Sequence, residues 1–143
     1  MHSTKWDHRF IAPAKHIAGW SKDPSTKVGA VLVDDKKSVV GLGFNGFPRG
    51  VEDSDERYND RPTKYKYAVH AEVNAVLDAG SDARGATMYV WPAFGSPPVC
   101  HERAKFLIQA GVKEVVGLDT DNPREDWADS LAVAANMLME AGV

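Results

Sequence analysis

A hairpin followed by a regular alternation of helix-like and strand-like segments limits the folds open to this chain. Residues 28–33 form a short β-branched run that ends in the turn-like Asp34-Asp35-Lys36-Lys37, and residues 38–44 return as a second strand. Ahead of the hairpin, Trp6, Phe10, Ile11, Ala14, Ile17 and Ala18 recur at three- and four-residue steps, which predicts an amphipathic helix over 5–20 with Pro13 as a kink. Beyond it, Val69, Val73, Val76 and Leu77 predict a buried helix over 67–79, stopped by Gly80. A strand at 86–91, a helix at 100–110 ended by Gly111, a strand at 114–118 and a helix at 127–141 follow. This order predicts an α/β protein, a three-layer α/β/α sandwich with a mixed sheet. Residues 52–66 are charged and contain Pro62, so they read as a solvated, irregular connection. At 143 residues without an internal repeat, the chain fits a single domain, 1–143.

Charge narrows the partners. The net charge is -3 and no run of five basic residues occurs, which disfavours a long nucleic acid but leaves room for one mononucleotide, whose phosphate needs only a few local donors. Cys100 is the only cysteine, so no intrachain disulfide forms, and the N-terminal MHSTKWDHRF lacks the apolar stretch of a signal peptide. A soluble, cytoplasmic protein is expected, since no apolar run approaches the roughly 20 residues that cross a bilayer.

Two short motifs carry chemistry. His70-Ala71-Glu72 sets an imidazole and a carboxylate at the start of a predicted helix, where both can serve one cavity. Cys100 opens a second predicted helix after a proline-rich turn, a position that favours a thiolate and suits it to a metal. Alone, each is weak, because His-x-Glu arises by chance and a lone cysteine is often a small core residue. Together they approach the zinc deaminase pattern, His-x-Glu followed by Pro-Cys-x-x-Cys, in which the glutamate moves protons and is not a ligand. The loop Asn45-Gly46-Phe47-Pro48-Arg49-Gly50 is rich in turn formers and open backbone amides, a candidate binding element, although Asn-Gly also makes turns without any ligand.

In order and spacing, the runs 21–29 (SKDPSTKVG), 43–50 (GFNGFPRG) and 67–75 (YAVHAEVNA) resemble the deoxycytidylate (dCMP) deaminases of the zinc-dependent cytidine deaminase fold. Residues 85–90 and 104–116 extend the resemblance across most of 5–118. It implies hydrolytic deamination of dCMP to dUMP, with His70 and Cys100 on Zn2+ and Glu72 as the catalytic acid and base. It also implies substrate contacts from Asn45, Lys27, Arg49 and Ala71. By the same resemblance the protein is a homo-oligomer, a hexamer, with dCTP and dTTP as effectors, and its relatives continue beyond the position of Val143 into a further strand.

One residue departs from the pattern. The run Cys100-His101-Glu102-Arg103-Ala104-Lys105 places Arg103 where the family has its second cysteine ligand. Taking Cys100 as the second cysteine instead puts Pro97 first and loses the Ala-Lys match that follows. An arginine has no lone pair to offer a metal. His101 is poorly aimed to replace it, because consecutive helical residues point about 100° apart. Arg103 then either turns outward, with water completing a weakened zinc site, or sits where the metal would and holds a carboxylate or water. The second functional reading is accordingly a repurposed nucleotide-binding protein that lacks a complete zinc site.

Overall fold

The computed structural model describes residues 4–95, 97–118 and 125–143. Helix α1 (Thr4–Ala18) leads into the hairpin of β1 (Gly29–Val33) and β2 (Val39–Phe44). Two short helices follow, α2 (Asp55–Asn59) and α3 (Arg61–Tyr67), and then α4 (Ala71–Ala79), β3 (Thr87–Trp91), α5 (His101–Ala110), β4 (Glu114–Val116) and α6 (Ala128–Ala141). The sheet runs β2-β1-β3-β4, with β1 antiparallel to both neighbours and β3 parallel to β4. The expected mixed sheet between helical layers is therefore present.

Strand alternation divides the core in two. All five residues of β1 are buried. Val31 and Val33, with Tyr89 and Val116, meet Phe10, Ile11, Ala14 and Ile17 of α1 on one face. Ala30 and Leu32, with Met88 and Val90, meet Ala71, Ala75 and Val76 of α4, Leu107 of α5 and Leu138 of α6 on the other. Glycines in β2 set the height of α4 above the sheet. A Cβ on Gly41 would lie 2.5 Å from the Ala75 carbonyl oxygen, and one on Gly43 would lie 2.4 Å from the Ala75 nitrogen. The strand thus lets the helix rest on its backbone, and the Asn74 side chain donates to the Phe44 carbonyl at 2.9 Å to fix the crossing.

Three sequence expectations are corrected. Residues 52–66 are largely helical: the Ser54 side chain caps α2 by accepting from the Arg57 N–H, and Pro62 stands in the first turn of α3, where its missing N–H costs nothing. The helix at 67–79 begins only at Ala71, because residues 61–67 belong to α3 and Ala68 ends that helix in an extended conformation. Leu77 lies on the outer face of α4 and is 68% exposed, outside the core.

Candidate active site

The cavity forms where the end of the hairpin meets the start of α4. Gly46 and Val69 exchange backbone hydrogen bonds, with Gly46 donating at 3.1 Å and Val69 at 2.7 Å, so the Asn45 loop is tied to the residue before His70. Phe47 of this loop stacks on Tyr58 of α2, with ring centroids 4.2 Å apart. His70 is the N-cap residue of α4 in extended backbone conformation, which turns its imidazole into the cavity mouth while Ala71 and Glu72 enter the first turn below. Ala71 is fully buried and Glu72 nearly so, and all three line the cavity.

Arg103 reaches the same cavity from α5. Its Nε lies 3.3 Å from Glu72 Oε2, with side chains only 14% and 7% exposed. The contact is an ion pair whose alignment falls short of a hydrogen bond, because Nε has no hydrogen-bond partner among the described residues. The guanidinium carbon also stands 5.8 Å from the centre of the Trp127 ring, within cation–π range. Of the two placements open to Arg103, the inward one is found. Cys100 N-caps α5 and is buried, but it is not among the residues lining the cavity. His101 is held away: its N–H donates to Ser130 Oγ at 3.0 Å, and its Nδ1 meets the same oxygen at 2.7 Å.

The opposite wall contains groups that the sequence did not single out. Lys64 Nζ lies 3.3 Å from Asp23 and donates to Ser25 Oγ at 2.9 Å, with the Lys64 and Asp23 side chains 8% and 4% exposed. Both line the cavity, as does Thr26. Residues 21–29 stood out in the sequence only as a run carrying the resemblance, and nothing local marked Lys64, 41 residues away, as the partner of Asp23. Asn45 is buried in the wall, its Oδ1 accepting from the Val28 N–H and its Nδ2 donating to the Thr26 carbonyl, both at 2.9 Å. One amide proton and one lone pair remain for a ligand. Lys27 donates to the Ser21 carbonyl and Arg49 is exposed on its loop, and neither is among the lining residues.

Burial pushes the His70 imidazole down to about 4, and the Arg103 charge acts in the same direction. The ring is open to the cavity, yet the surrounding walls displace bulk water. Burial pushes the Glu72 carboxyl up, and Arg103 opposes without cancelling this. The consequences for stability have opposite signs. The unfolded chain binds more protons at His70 between pH 6.5 and about 4, so this residue costs stability as pH falls through that window. Folded Glu72 retains its proton above its ordinary 4.5, so its contribution declines as pH rises. In urea unfolding across this range, His70→Asn is expected to flatten the dependence of stability on pH and Glu72→Gln to steepen it. Equal slopes in both variants would contradict these environments.

Residues 4–118 match the family model described as the cytidine and deoxycytidylate deaminase zinc-binding region. The chain belongs to this family. The deoxycytidylate deaminase of Homo sapiens is 38% identical over 141 residues, spanning 93% of this chain and 75% of the human protein. An uncharacterized deaminase in the luxG 3' region of Aliivibrio fischeri is also 38% identical over 141 residues, spanning 98% of this chain and 91% of that one. The dCMP deaminase from cyanophage S-TIM5, solved in complex with dCMP and dUMP, superposes with a TM-score of 0.71 at 22% identity, covering 100% of this chain and 96% of the phage chain, and shows the shared fold.

Against that zinc-binding family, the donor set of this chain falls short. A catalytic zinc takes three protein ligands and an open position, whereas Arg103, at the position the resemblance gives to the second cysteine, is a cation without a lone pair. Among the described residues, no group of three His, Cys, Asp or Glu side chains stands together to hold a metal. His70 and Cys100 are two donors at most, and the residues present do not fit a family-type zinc.

Proposed function

We propose that this deaminase-family chain acts on dCMP, hydrolysing its exocyclic amine to give dUMP and ammonia, with Glu72 as the proton carrier. The observation that carries the reading is Glu72 itself, a buried carboxyl on the first turn of α4, facing the cavity beside His70. Two deoxycytidylate deaminases at 38% and 42% identity support the substrate. A carboxyl whose proton affinity is raised by burial suits a group that takes a proton from water and delivers it to the base and the departing ammonia. Asn45 would hold the sugar with its remaining amide proton and lone pair, and Ala71 would pass under the base. Lys27 and Arg49 would reach a phosphate only from outside the lined cavity.

The family's zinc would fall to His70 and Cys100, one ligand short. The Arg103–Glu72 pair favours a second reading, a nucleotide-binding member of the family without turnover, since the guanidinium occupies the carboxylate that the chemistry needs. Loss of cytosine absorbance on mixing with dCMP separates the two: conversion supports the first reading. Saturable dCMP binding without conversion supports the second, and neither would withdraw both.

Assembly into a homo-oligomer, a hexamer, belongs to the same proposal, as do dCTP and dTTP as effectors and a cytoplasmic location. Leu77 on α4 and Met139 on α6, 68% and 73% exposed, are apolar groups that a partner subunit would cover. A sedimentation mass of one chain would withdraw the oligomer. No helix among the described residues is long and apolar enough to cross a membrane.

A further inference from the structure

We infer that the pocket is metal-independent, with the Arg103 guanidinium as its resident cation and the group that keeps zinc out. Cys100 is the N-cap residue of α5 and Arg103 stands in its first turn, three residues on, and of the two only Arg103 lines the cavity. There the guanidinium meets the Glu72 carboxylate at 3.3 Å and faces the Trp127 ring at 5.8 Å, two contacts that fix it inward. The pair already balances its own charge. A divalent cation entering among these groups would face a fixed positive charge with little water to screen it, and would lack the thiolate that compensates it in a complete site. His101 is held by Ser130 at its backbone N–H and Nδ1, its Nε2 lies 3.3 Å from the Glu102 carboxylate, and it is not among the residues lining the cavity. The Arg103 Nε is buried and off-line from the carboxylate, with no hydrogen-bond partner among the described residues. Folding and ligand binding then proceed without metal. Only the dCMP arm of the test below rests on the functional reading above.

Metal content and melting temperature of the purified full chain, expressed with and without added zinc, test this. The parent is expected to carry far less than one zinc per chain and to melt at the same temperature with and without a chelator. Arg103→Cys is expected to acquire about one zinc per chain, the stoichiometry of a completed site, and to become chelator-sensitive. Adding Cys100→Ser to Arg103→Cys should remove that zinc again. If Arg103→Cys proves unstable, Arg103→Ser, which removes the charge without adding a thiolate, is expected to raise weak zinc uptake over the parent. Stoichiometric zinc in the parent overturns the inference, and so does a folded Arg103→Cys that binds no more zinc than the parent. A parent that is zinc-free but gains no thermal stability from dCMP leaves the metal inference standing and sinks the nucleotide reading instead.

Discussion

Glu72→Gln is expected to lower the conversion of dCMP to dUMP by about 10²- to 10⁴-fold, the usual worth of a positioned acid and base, with nucleotide affinity changed much less. The amide keeps the volume and one acceptor but can no longer carry a proton. Glu72→Ala should lose turnover to the same extent and stability in addition. It leaves the Arg103 guanidinium, whose side chain is 14% exposed, without its carboxylate, and breaking a buried pair from one side costs about 3–5 kcal/mol. The lower end applies, because Arg103 lines the cavity and is not sealed in the core. The pair itself is not a net source of stability. The Glu72 carboxyl stays shifted up despite the adjacent cation, which means that desolvation outweighs the attraction. The double variant Glu72→Gln/Arg103→Met should therefore unfold at a urea concentration close to that of the parent, while Glu72→Ala unfolds earlier. A Glu72→Gln protein that turns over dCMP at the parent rate would remove this residue from the chemistry, and a double variant no more stable than Glu72→Ala would show that the pair does stabilise the fold.

Local signals made much of this molecule legible. Period-3.6 spacing located α1 and α6, a β-branched run located β1, and Gly80 and Gly111 stood at the ends of α4 and α5. The motif at 70–72 was placed at a helix start, and the helix begins at Ala71. The losses came where the decisive interaction spans the chain. In 52–66, charge and a proline argued for a loop, but a proline in a first helical turn is compatible with a helix, and Lys64, the buried residue of α3, finds its partner in Asp23, far back in sequence. Sequence reading named Arg103 as the departure from the family but left its direction open, since only the positions of Glu72 and Trp127 decide whether an arginine on that face turns in. His101 was disfavoured on helical geometry, and Ser130 on α6 gives the added physical reason. Lys27 and Arg49 were attractive as cations close in sequence to binding motifs, and sequence proximity did not bring them to the cavity wall.

The largest stability loss outside the Glu72 pair is expected at Asp23, and it should exceed that at Lys64 although the two share one ion pair. The Asp23 carboxylate accepts from the Ser25 N–H at 2.9 Å, the Thr26 N–H at 3.1 Å and Ser25 Oγ at 3.1 Å, besides facing Lys64 at 3.3 Å. Burial alone would push this carboxyl up, yet the backbone donors and Lys64 hold it below its ordinary value. Asp23→Ala removes all of these acceptors and leaves a buried ammonium uncompensated, for a loss of about 3–5 kcal/mol. For a domain of this size that corresponds to a melting temperature lower by on the order of 10 °C. Lys64→Met leaves the carboxylate with three donors, so its cost should be smaller, about 1–3 kcal/mol. Because the folded-state carboxyl is depressed, its contribution is present above the ordinary aspartate value of 3.8 and is lost as pH falls below it, so Asp23→Asn should flatten that acid limb. The turn that Asp23 organises also carries Thr26, whose carbonyl accepts from Asn45 in the cavity wall, so ligand affinity should fall with stability in Asp23→Ala. Thermal melts of the two single variants, with and without dCMP, measure both effects. A Lys64→Met protein as unstable as Asp23→Ala would mean that the ammonium, and not the turn, is what the wall depends on.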